Sequence, residues 1–201
     1  MFVNRSSVFK ANIGDSALTN FMSFERIRSM HILTREEGKS WLAANNLSTI
    51  SNFRLSSKNQ HNASYKIPAD SGRKYALAFC FINFVFSTKK DTENCLWINE
   101  FGVFPNCEDH NLFDGFRNSL GENRSLSDTP FHIFTKDDSE NITSILSCVL
   151  YFFWDCFLIS KTLGLFIHVS HHEIFDLAAE DESEFKRIQD IFLKYQLIPV
   201  K

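Results

Sequence analysis

A chain of 201 residues, 44% hydrophobic and 22% charged, has enough apolar material for one domain with a sizeable core and falls outside the disordered class. Its formal net charge of −3 sets up no global attraction to nucleic acid or anionic lipid, and Lys and Arg are scattered rather than striped, which disfavours nucleic-acid binding. The 22 Phe against 3 Trp and 4 Tyr read as a core written in phenylalanine.

Residues 1–23 are polar and unpatterned and are expected to form a mobile arm, with a single globular domain over 24–201. Met30-His31-Ile32-Leu33 is a short apolar run, read as a strand. Thr34 with Glu37 then forms a capping-box pattern, so a helix is predicted through Trp41, Leu42 and Ala44, stopping at Asn45-Asn46. Thr49 to Leu55 alternates like a half-buried strand, Ser56 to Ala63 reads as a loop, and Tyr65 to Pro68 is extended. A helix starting near Asp70-Ser71 carries Tyr75, Leu77, Ala78, Phe81, Ile82 and Val85. Apolar residues surround nearly all of it, which predicts deep burial.

Cys95 to Ile98 is apolar on both faces and reads as a central strand, followed by a turn-rich loop from Glu100 to Pro105. Asp109 to Leu120 has one apolar face, with Gly121 as its stop, and Pro130 to Phe134 alternates as a strand. The apolar stretch Ile142 to Ser160 approaches the length of a membrane span, but Asp155 and a change of texture there favour a helix to Phe153 and then a buried strand. Cys156 to Ile159 and Leu165 to Val169 flank Lys161-Thr162-Leu163-Gly164 as a hairpin. Ser170 to Glu173 offers a second capping box, and a last amphipathic helix carries Phe185, Ile188, Ile191 and Phe192. The fold class expected is α/β or α+β: a mixed sheet of about five strands with packed helices, ending in a hairpin followed by a helix.

None of the high-specificity motifs is present. The seven glycines do not cluster, so no phosphate-cradling loop is expected, and no G-x-S-x-G elbow occurs. No cofactor is predicted. Five cysteines without a CxxC pair, and an N-terminus without a long apolar segment, point to a reducing, cytoplasmic setting. Glu100 and Asp155 lie where apolar strands end or begin, positions that can line a cleft, and Trp97 and Phe104 are placed there with them. The metal-ligand candidates are His168, His171 and Glu173, which Cys107 and His110 could join; imidazole and thiolate suit zinc. Cys107 precedes Glu108 and Asp109, and Cys156 sits in an apolar run, so neither makes a good thiolate nucleophile.

The stretch Leu-Trp-Ile-Asn-Glu-Phe-Gly-Val-Phe-Pro at 96–105, with Pro-Phe-His-Ile-Phe at 130–134, Trp-Asp-Cys-Phe-Leu-Ile at 154–159 and Val-Ser-His at 169–171, resembles an uncharacterised family of small soluble bacterial proteins. The resemblance covers roughly Met30 to Asp176 and implies one soluble bacterial domain; it carries no activity, cofactor or catalytic residue with it. A patterned globular chain without a catalytic signature is expected to be a protein-binding module, immunity- or antitoxin-like or otherwise associated with bacterial defence. Its partner would be a protein, for example a basic toxin or enzyme drawn by the acidic run at 180–184. Two alternatives stand beside this: a metal-assisted hydrolase with a nonstandard site, and a structural subunit of a larger assembly.

Overall fold

The computed structural model describes residues 30–47, 61–86 and 92–200. The expected arm at 1–23 and the expected strand at Thr49 to Leu55 lie outside the described residues. In chain order the elements are β1 (His31–Leu33), α1 (Arg35–Ala44), β2 (His61–Lys66), α2 (Ser71–Val85), β3 (Asn94–Glu100), α3 (His110–Ser119), β4 (Phe131–Phe134), α4 (Ser139–Phe152), β5 (Asp155–Ser160), β6 (Leu165–Ser170), β7 (Ile174–Ala179) and α5 (Glu182–Lys194). A single 3-10 turn, Lys136–Asp138, leads into α4.

Among the described residues the strands form one sheet of seven, in the order β1-β4-β3-β5-β6-β7-β2. Every pairing is antiparallel, so the class is α+β, and the expectation of a mixed, five-stranded sheet is corrected. Two strands account for the difference. Ser170 to Glu173 starts no helix: Glu173 donates its N–H to Ser170 O at 3.1 Å and takes a left-handed φ of 60°, closing a tight turn into β7. The Ser-x-x-Glu pattern meets the needs of such a turn as well as those of a helix cap, and the alternating burial of Ile174 to Leu177 decides for a strand. β2 begins at His61, inside a stretch read as loop. Its composition is polar, and its strand state comes from pairing with β7 from His61↔Ala179 to Lys66↔Ile174.

Other elements form where their local chemistry puts them. Thr34 and Glu37 make the reciprocal capping box of α1. The β5–β6 hairpin pairs Cys156↔Val169 through Ser160↔Leu165, with Gly164 at a φ of +53° in its turn. The long apolar stretch divides as expected: α4 ends at Phe152, Phe153 takes a left-handed φ of 57°, and both Phe153 and Trp154 donate to Val149 O. No helix among the described residues is long and apolar enough to cross a membrane.

One sheet face carries Leu96, Ile98, Phe134, Cys156, Leu158, Ile167, Phe175 and Leu177, and these share a core with residues of α2, α3, α4 and α5. At about 1.5–3 kcal/mol for each fully buried large apolar side chain, this layer is the main favourable term of folding. On the other face α1 packs Leu42 against a cluster that includes Cys95, Phe131, Ile133 and Phe166. Its approach requires glycine at 38, where an added Cβ would lie 2.2 Å from the Phe131 ring. The far side of β2 is met by the C-terminal residues: Lys66 N–H donates to Ile198 O at 2.9 Å and Val200 N–H to Ser64 O at 2.8 Å.

Candidate functional site

In the antiparallel order β3-β5-β6, the last residue of β3, the first of β5 and the residue just after β6 arrive at one end of the sheet. These are Glu100, Asp155 and His171. Their ligand-type atoms lie within 4.8 Å of one another, and they are the only such group of His, Cys, Asp or Glu among the described residues. A register shift between Ile98 and Glu100 makes the meeting possible. Ile98 faces Cys156, so regular pairing would set Asn99 opposite Asp155; the bulge sets Glu100 there instead.

Asp155 is only 6% exposed. Its Oδ1 accepts the backbone N–H of His171 at 2.5 Å and contacts His171 Nδ1 at 2.8 Å. When Nδ1 donates in that contact, Nε2 is left as the free acceptor of a neutral imidazole. Glu100 is exposed at the rim. Both turns that deliver these side chains hold a non-glycine residue in left-handed backbone, Phe153 before Asp155 and Glu173 after His171. Such strain persists only where the surroundings impose it.

The walls are aromatic. The Phe104 ring lies 6.3 Å from that of His171 and 6.0 Å from that of Phe153, and Lys74 Nζ sits 3.9 Å from the Phe153 ring centre. Burial lowers the Lys74 pKa from its ordinary value, against the opposing pull of Glu173 and Cys107. Glu108 fixes the loop that carries Phe104. Its fully enclosed carboxylate accepts the N–H of Gly102 and of Phe104, each at 3.0 Å, and lies 2.7 Å from His110 Nε2. Burial raises the Glu108 pKa, but the nearby Trp154 indole N–H and the hydrogen bonds from Phe104, His110 and Gly102 outweigh it and hold the group below the ordinary carboxylate value.

The candidates named from sequence therefore separate. Glu100, Asp155 and His171 meet, with Phe104 beside them. Trp97 sits deeper along β3, stacked on Phe131 at 4.9 Å and opposite Phe157. His168 is buried in β6 against the Phe157 ring at 4.7 Å, with its Nδ1 3.4 Å from Asp176 Oδ2. Glu173 occupies the β6–β7 turn, and His110 is engaged by Glu108. Cys156 is buried, and its thiol is pushed well above the ordinary value.

A second feature went unread in the sequence. Tyr75, expected in the buried face of α2, is 52% exposed, and Phe79 one turn later is 51% exposed. With Ile82, Asn83, Glu140 and Thr143 they border a groove between α2 and α4. Tyr151 lies at the other end of this face, its hydroxyl donating to Ser71 O at 2.8 Å. Hydrophobic all-round spacing marks a helix as buried, yet Tyr75, Phe79 and Asn83 recur at i, i+4 and i+8 and form one exposed stripe. That spacing was the available signal. Comparison of the chain with protein-family models, with curated proteins and with solved structures returns no match.

Proposed function

We propose that the chain is a protein-binding module that engages its partner through the α2–α4 face, with Tyr75 and Phe79 as anchors. The observation that supports this reading is the half-exposure of these two rings, 52% and 51%, on a helix whose Phe81 and Phe84 are enclosed. Contiguous exposed aromatics beside a groove are what binding surfaces use as energetic centres. Glu140 on the groove wall and the net charge of −3 favour a basic partner. An immunity- or antitoxin-like role in a bacterial defence system is the form this proposal takes.

Affinity capture of the tagged chain from its host, read by mass spectrometry, tests the reading. The expected result is one stoichiometric basic protein. Binding of that protein, once purified, should weaken by about 30-fold or more in a Tyr75→Ser, Phe79→Ser double variant whose circular dichroism is unchanged. A bait that returns alone, or a double variant that binds as well as the parent, overturns it. A metal-assisted hydrolase is the second reading, and the meeting of Glu100, Asp155 and His171 is what favours it.

A further inference from the structure

The strand-end cluster is short of positive charge. Glu100 and Asp155 face each other across β3 and β5, an arrangement that is destabilising for like charges unless something offsets it. Neither carboxylate has a Lys or Arg partner among the described residues; the one ion-pair contact at this point is between Asp155 and His171. Lys74, the nearby buried amine, is coupled to Glu173 and Cys107 instead. Both hydrogen bonds to Asp155 fall on Oδ1, and Oδ2 takes none among the described residues, although the side chain is more than nine-tenths buried.

We propose that Glu100, Asp155 and His171 form a binding site for one divalent transition-metal ion. Two carboxylates and one imidazole, with ligand atoms within 4.8 Å of one another, match the oxygen and nitrogen donor set of zinc, manganese or iron(II) sites. Three protein ligands also leave coordination positions for water or a substrate atom. The ion supplies the missing positive charge. Asp155 Oδ1 and His171 Nδ1, 2.8 Å apart, are spaced as two atoms that can share one ion, which takes the place of the proton between them. The bulge at Asn99 has a purpose in this arrangement, since it places a carboxylate where an amide would otherwise stand. The site is separate from the α2–α4 face, so it stands or falls apart from the partner-binding reading.

The test is calorimetric titration of the full chain with zinc chloride and with manganese chloride, after removal of the affinity tag and EDTA treatment. Saturable binding at one ion per chain is expected, weakened about 10- to 100-fold by Glu100→Gln and by His171→Gln and unchanged by Cys107→Ser. Because Glu100 is exposed, the Glu100→Gln protein should fold normally, and its thermal transition checks this directly. Absence of one-to-one binding by either ion overturns the proposal. So does binding indifferent to Glu100→Gln and His171→Gln, or binding lost with Cys107→Ser, which would assign the metal to an exposed thiol.

Discussion

Glu108 and Glu100 stand at the two ends of one loop, and their carboxylates are treated in opposite ways. Glu108 is enclosed, and three donors converge on it from Gly102, Phe104 and His110. Glu100 is exposed, faces a second carboxylate, and has no cation beside it among the described residues. A carboxylate satisfied on every side holds a loop in place. One left short of positive charge is where the ion of the proposed site would bind, and the contrast distinguishes the two acids more sharply than burial does.

The largest effect is expected at Glu108. Glu108→Ala strips the loop of its acceptor and leaves two backbone N–H groups without their partner. Unfolding by urea should show a loss of about 3 kcal/mol, since hydrogen bonds to a charged group contribute about 1.5–3 kcal/mol each. A loss near zero would show that the loop holds itself. The Glu108 pKa is lower folded than unfolded, so its contribution is complete above the ordinary carboxylate value and disappears as pH falls through the folded one. Glu108→Gln should flatten that part of the acid limb of stability against pH. The smallest effect is expected at Glu100: without added metal, Glu100→Gln should leave stability within about 0.5 kcal/mol of the parent or raise it slightly, because it removes a repulsion at an exposed position.

Much of the fold was legible wherever one local rule acts alone. The Thr34–Glu37 cap, the β5–β6 hairpin and the break after α4 each depend on a few adjacent residues, and each forms as the pattern states. β7 and the first four residues of β2 were not legible because their strand state is mutual. The polar His61-Asn62-Ala63-Ser64 acquires it from β7, while Leu177-Ala178-Ala179 has a composition that suits a helix equally well. The site was legible in halves. Strand-end position singled out Glu100 and Asp155, but no periodicity announces the bulge that turns Glu100 toward Asp155. His171 was grouped with His168 and Glu173 because they are neighbours in sequence. Three residues of strand and turn are enough to send His168 against Phe157 and His171 to the sheet end.

The backbone bonds between β2 and residues 198–200 have a consequence for how molecules of this protein meet one another. A sheet margin with open amides is a template on which a second chain can add its own strand, and repetition of that step builds fibres. Here Ile198 O and the Val200 N–H already occupy the positions such a strand would use, and Pro199 between them has no N–H to offer beyond. Residues 198–200 therefore act as a stopper, covering the β2 margin and turning outward a residue with no N–H to donate to a further strand.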